Sequence, residues 1–163
     1  MIQVEGLNEL LAGFQKAKKE VRDAAMKGMK EAAMDIIADS KMNLRRNGSV
    51  VTGLLRASGK VQQVNDLTLD AGFFDPQNKS GYAVYVEYGR RAGRMPPPDE
   101  MAQWAYKKFH LKDRKVAQSL GWAIATNVAR KGTTPHPFFK PAVDRNKRKI
   151  ITALERAIGK VTR

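Results

Sequence analysis

Tyr82-Ala83-Val84-Tyr85-Val86-Glu87-Tyr88-Gly89 holds the highest density of strand-forming residues in the sequence, and its reading decides the fold. As an extended segment it places Tyr82, Val84, Val86 and Tyr88 on one face and Ala83, Tyr85, Glu87 and Gly89 on the other, because strand side chains alternate. One face asks for a core and the other is mixed. Gly81 precedes the run and Gly89-Arg90-Arg91-Ala92-Gly93-Arg94 follows it, so turn-forming residues bound both ends. This reading predicts a central strand with helices and a hairpin packed on it.

Just upstream, residues 60–64 and 67–73 read as two more strands joined at Asn65-Asp66, a spacing that predicts a tight hairpin. Leu67, Leu69, Ala71 and Phe73 alternate with Thr68, Asp70 and Gly72, as in a half-buried antiparallel strand. A polar loop over 75–80 leads from the hairpin to the central run. Before the hairpin, Thr52-Gly53-Leu54-Leu55-Arg56-Ala57-Ser58-Gly59 reads as a turn or a single helical turn between glycines.

The first forty or so residues have a different period. Leu7, Leu10, Leu11, Phe14, Val21, Ala25, Gly28, Ala32, Ile36, Ile37 and Leu44 recur every three or four places, which predicts one long helix over 7–46, or two nearly collinear ones. Unbroken, it would span roughly 60 Å at 1.5 Å per residue, longer than a small domain is wide. Part of it must lean on something outside its own core. Ala17, Ala24, Ala25, Gly28, Ala32 and Ala33 line its middle and permit close approach of another helix, a bend at Gly28 being the alternative. Asn47-Gly48 then ends the helix.

Downstream, 90–94 is a basic, glycine-containing loop expected to be mobile. Met95-Pro96-Pro97-Pro98-Asp99-Glu100 opens a helix, with proline in its first turn and acids at its positive end. Met101, Trp104, Ala105 and Phe109 form its expected inner stripe. A second helix over 113–131 carries Val116, Leu120, Ile124 and Val128 at four-residue steps, and Gly132 closes it. Thr133-Thr134-Pro135-His136-Pro137-Phe138-Phe139-Lys140-Pro141 reads as a rigid extended connector. A last helix over 141–160 turns Val143, Ile150, Leu154, Ile158 and Val161 inward and Arg145, Lys147, Arg148 and Lys149 outward.

The expected architecture is therefore α+β: a small antiparallel sheet of three to four strands packed by a long N-terminal helix and C-terminal helices. It forms one domain over 1–163, comprising the helix at 7–46, a β core at 60–89, a helical insertion at 97–131, and the connector with its helix at 133–160. The 163 residues suffice for a hydrophobic core. With 42% hydrophobic and 28% charged residues the chain is globular rather than disordered. A formal net charge of +14 favours an anionic partner: nucleic acid, an acidic protein ring or a membrane surface. Without cysteine there is neither a disulfide framework nor a thiolate metal site. No basic leader with an apolar run opens the chain, and no apolar run reaches the roughly 18 residues of a membrane span, so a soluble protein without a signal peptide is expected.

Catalytic raw material is sparse. His110 and His136 fall at a helix end and in the connector, and would ligate a metal only if the fold joined them to carboxylates; two surface histidines is the simpler reading. Glu87, the one acid in an apolar run, could be a buried base, but pointing to solvent or pairing with an arginine is less costly. The 89–94 loop lacks the glycine spacing of a phosphate-binding loop. No catalytic, cofactor or metal residue is assigned. Arg90, Arg91 and Arg94, together with Arg145, Lys147 and Arg148, are the candidate contacts to DNA or a partner. Tyr82, Tyr85 and Tyr88 could stack bases, although packing is the commoner use of aromatics at strand spacing.

Three of these pieces in order resemble a known family: Thr52-Gly53-Leu54-Leu55-Arg56-Ala57-Ser58 after a long helix, then the 82–89 run, then Pro135-His136-Pro137-Phe138-Phe139-Lys140-Pro141-Ala142 before a last helix. They are similar to the tail-component proteins of long-tailed bacteriophages and prophages, the neck or tail-completion family that includes minor tail and head-tail joining proteins. The likeness spans nearly the whole chain. Met95-Pro96-Pro97-Pro98 with Trp104, and 125–132, resemble longer members with two extra helices. The resemblance implies a virion protein of the neck, assembled in the host cytoplasm as a ring, hexameric in the virion, around the DNA path. It implies head-connector and tail-tube or tail-terminator proteins as neighbours, with no catalysis, cofactor or membrane contact. It also implies packing and assembly roles for Gly53, Leu55, Tyr85, Glu87, Gly89, Pro137, Phe138 and Pro141. The alternative is a basic nucleic-acid-binding protein.

Overall fold

The structure, a computed structural model, describes residues 7–49, 53–65, 68–74 and 82–159, apart from the side chains of 7–12, 14, 157 and 158. The expected inward positions Leu7, Leu10, Leu11, Phe14, Ile158 and Val161, together with Thr52, Asp66, Leu67, the 75–80 loop and Gly81, lie outside this description.

Helix α1 (Leu7–Arg46) is continuous for 40 residues. It ends at Gly48 with φ 64°, where Gly48 N donates to Arg45 O and Ser49 N to Leu44 O. These two bonds take up carbonyls the helix would otherwise leave open, and the left-handed turn suits glycine. After Gly53 (φ 76°) the single turn α2 (Leu54–Ala57) leads into β1 (Gly59–Asn65) and β2 (Thr68–Phe73). The strands pair antiparallel, Gly59 opposite Phe73 and Val61 opposite Ala71, with an irregularity between Gln63 and Asn65. The hairpin packs on α1.

Among the described residues the sheet has two strands rather than the expected three to four, because the 82–89 run is helical: α3 (Tyr82–Tyr88). Over so short a stretch, apolar residues all round the axis satisfy period 2 and period 3.6 alike. The observed helix turns Ala83, Val86 and Glu87 inward at steps of three and four, leaving Val84, Tyr85 and Tyr88 exposed. A strand would have put Glu87 on the same face as Tyr85.

Helices α4 (Pro98–Lys108), α5 (Arg114–Lys131) and α6 (Lys140–Gly159) complete the chain. Asp113 caps α5 by accepting from Lys115 N at 2.8 Å. Helices α1 and α6 pack chiefly on each other and run antiparallel, since Gly28 meets Ala153, Asp35 meets Lys149 and Asn43 meets Phe138. A Cβ on Gly28 would lie 2.7 Å from Ala153 Cβ, so the small residues of α1 do admit a close neighbour. The core on this side comprises Ala25, Ala32, Ala33, Ile36, Ile37 and Leu44 with Phe138 and Ala142.

A second seam joins α4 to α5. Its buried residues are Ala102 and Ala105 against Ala117, Gly121 and Ala125; Ala105 is in the expected stripe, whereas Ala102 and the α5 residues lie one position round from theirs. Phe109 and Val116 are instead exposed, while Leu120, Ile124 and Val128 sit half-buried at the flanks. The reason is close approach: a Cβ on Gly121 would fall 2.5 Å from the Ala102 backbone nitrogen, and only small residues fit between axes so near. Alanine normally stabilises a helix interior relative to glycine by about 1 kcal/mol. At Gly121 the overpacking exceeds that gain, and Gly121→Ala is expected to cost about 1–3 kcal/mol in urea unfolding. Wild-type or greater stability for this variant would contradict the packing.

Candidate functional site

The segment 133–140 is the point on which the separate parts converge. Its prolines fix an extended backbone and remove donors at 135 and 137, so few N–H groups remain to be satisfied. Val86 O accepts from His136 N at 2.8 Å. Glu87 Oε2 accepts from Phe138 N at 2.8 Å and Phe139 N at 2.9 Å, while Oε1 accepts from Lys140 N at 2.9 Å. On the opposite side Asn43 Nδ2 donates to Phe138 O and Asn47 Nδ2 to Pro137 O, both at 2.9 Å.

Glu87 is therefore neither solvent-facing nor paired with an arginine, as the sequence suggests; it is buried, 6% exposed. Three backbone donors compensate its desolvation, and its charge lies at the positive end of α6. Helix α3 makes this possible by turning Glu87 inward, and Gly89 then lets the chain leave. At φ 73° and with a would-be Cβ 2.5 Å from Thr133 O, only glycine fits there. Arg90 and Thr133 follow as an isolated antiparallel bridge, N to O at 3.1 and 2.8 Å.

Phe138 is 1% exposed, its ring meeting Phe73 edge-on at 4.9 Å, and Phe73 also meets Phe139 at 6.1 Å. The aromatics thus tie the hairpin to the connector. Pro137 is exposed and Pro141 half-buried beside them, while Gly53 and Leu55 lie apart at α2. Asn43, Asn47 and Phe73 belong to the same cluster; the sequence marks Phe73 only as a strand position and Asn47 only as a helix end, and does not mark Asn43. Two asparagines four apart on one face of α1 are a signal that could have found them.

The basic residues divide into two groups. On α6, Arg145 approaches Asp39 at 3.6 Å and Lys149 pairs with Asp35 at 2.7 Å, while Lys147 and Arg148 face solvent. Asn146, buried between them, donates to Asp39 at 2.7 Å. A groove of about 330 Å³ along this seam is lined by Gly28 and by two acids, Glu31 and Asp35, against three bases, Arg148, Lys149 and Arg156. Farther along, Lys140 Nζ donates to Asp144 Oδ2 at 2.8 Å, and that hydrogen bond raises the Lys140 ammonium above the usual lysine value.

The second group is the 90–94 loop. Expected to be mobile, it is held at both ends, by the Arg90–Thr133 bridge and by Gly93 N donating to Ala129 O at 2.8 Å. His110 sits in the α4–α5 turn with φ 50° and His136 is exposed in the connector; among the described residues no group of three His, Cys, Asp or Glu could hold a metal. Nor is any helix among them long and apolar enough to cross a membrane.

The family described as "Bacteriophage HK97-gp10, putative tail-component" matches residues 8–89, half of the chain. The protein belongs to this HK97-gp10-like family of phage tail components. Comparison with curated proteins and with solved structures gives no match. The family match ends at Gly89, so Glu87, like Asn43, Asn47 and Phe73, is a point where the matched half grips the remainder.

Replacing Glu87 by glutamine keeps its size but sets an amide donor among three N–H donors. Glu87→Gln is expected to lose about 2–3 kcal/mol, and Phe138→Ala about 3–5 kcal/mol, in urea denaturation. A Glu87→Gln protein as stable as wild type would show that the capping contributes nothing.

Proposed function

We propose that this tail component is a structural subunit of the head-tail junction, completing the tail by assembling into a ring around the path of the DNA. The observation that carries the reading is the overhang of α1. Gly28 lies opposite Ala153 and α6 runs six residues further to Gly159, so among the described residues α1 has no α6 beside it before about residue 22. The stretch 7–21 then projects roughly 22 Å at 1.5 Å per residue. Gln15, Lys16, Lys18, Lys19 and Glu20 on it are exposed, with Ala17 and Val21 half-buried. An unsupported helix of this length is marginal in water. Docking on a neighbouring copy would stabilise it.

Such docking is heterologous, the overhang of one subunit meeting a different patch on the next, and repeated with closure it generates a ring. Six copies is the proposed number, with head-connector proteins above and tail-tube or tail-terminator proteins below. The role is mechanical, in the virion, and involves no catalytic step. Gly53, Leu55, Tyr85, Glu87, Gly89, Pro137, Phe138 and Pro141 serve it by holding the subunit rigid or by meeting its neighbours.

Val21→Glu combined with Ala17→Glu puts charge on the apolar side of the overhang without touching the α1–α6 core. The double variant is expected to keep its circular dichroism and melting temperature while completing less than about a tenth as many infectious particles in a complementation assay. Complementation at wild-type level would remove the overhang from the interface.

A further inference from the structure

The loop that follows α3 lies across the end of α5 and builds a charged surface that the sequence keeps apart. Gly93 N takes the Ala129 carbonyl, and Gly132 packs so closely under the loop that even a Cβ would meet Arg90 O and Ala92 N. Consequently Arg91 and Arg94 are brought beside Arg130 and Lys131 of the last α5 turn, some forty residues away in sequence. All four are exposed. Arg90 joins them, its guanidinium 5.8 Å from the Tyr85 ring and donating to Arg94 O. Tyr88, three residues on in α3, is two-thirds exposed.

No carboxylate among the described residues forms an ion pair with any of these five cations, in contrast to Arg145 and Lys149 on α6. The acid closest in sequence to the loop, Glu87, is buried and committed to α6; Asp99 and Glu100 lie in the first turn of α4. Five like charges repel one another, and the C-terminal dipole of α5 offsets only part of that cost. Held by backbone hydrogen bonds, they form a fixed anion-attracting face rather than a diffuse one.

We infer that Arg90, Arg91, Arg94, Arg130 and Lys131, with Tyr85 and Tyr88 at their edge, form a contact surface for the phosphate backbone of DNA. Arginines suit phosphate by presenting forked donors, and tyrosine hydroxyls are a frequent companion contact. Binding of this kind is independent of sequence and steeply salt-dependent. The surface exists on a single chain, so it stands or falls separately from ring assembly.

The test is fluorescence anisotropy of the full chain with a labelled duplex between 50 and 200 mM salt. Four phosphate contacts give a slope of about −3.6 in log affinity against log salt, a loss of about 150-fold across that range. A variant with Arg91, Arg94, Arg130 and Lys131 changed to glutamine should flatten the slope by about 3–4. A control with Lys27, Lys30, Lys107 and Lys112 changed to glutamine removes the same charge elsewhere and should shift it by less than about 1. Arg91→Lys with Arg94→Lys and Arg130→Lys, which keeps the charge, should retain most of the slope, separating lost contact from lost folding. Equal flattening by variant and control, absence of salt-dependent duplex binding by the native chain, or tighter binding to polyglutamate than to DNA at the same salt would each overturn the assignment.

Discussion

One carboxylate decides how the two halves of this protein meet. Glu87 leaves water to accept three backbone N–H groups at the start of α6, a trade that is favourable only because all three bonds form and because the helix end carries partial positive charge. From that anchor the rest follows. Phe138 is set down under Phe73, its carbonyl faces Asn43, and α6 departs in the direction that lays Ala153 against Gly28. Loss of the acceptor would leave buried donors unsatisfied, a larger penalty than the bonds are worth as net stabilisation.

The body held together this way has little large apolar surface inside. Its seams are built from alanine and glycine, and Phe138 and Leu44 are the only large apolar side chains sealed almost completely among the described residues. Small residues permit close helix contact but remove limited area from water. Polar ties therefore carry more of the burden of defining the arrangement than in a thicker domain, as Asn43, Asn47 and Asn146 illustrate. Such a subunit can gain further stability from neighbours, as expected of a part that works in an assembly.

Acidic residues are consumed by structure. Asp35 and Asp39 bind α6 to α1, Glu87 and Asp113 satisfy helix N-termini, and Asp144 holds Lys140. With only 16 acids against 30 Lys and Arg, such use leaves whole regions of surface without a countercharge. One such region is where the 90–94 loop crosses α5.

By itself the sequence determined the long helices α1, α4, α5 and α6 and the hairpin. The three-to-four-residue recurrence of apolar residues marks α1, Pro98 and Asp113 mark the starts of α4 and α5, and alternation around Leu69, Ala71 and Phe73 marks the second strand, because each signal comes from neighbours along one element. The order of the three motifs was likewise enough to suggest a tail component. Tertiary structure alone decided what 82–89 became. Seven residues apolar on all sides fit a strand or a helix equally, and the choice fell to a partner fifty residues away whose three N–H groups needed Glu87 turned inward. The same holds for the buried rows of α4 and α5, set by how closely Gly121 lets two backbones approach, and for the cluster of cations, assembled by hydrogen bonds between segments that no local pattern connects.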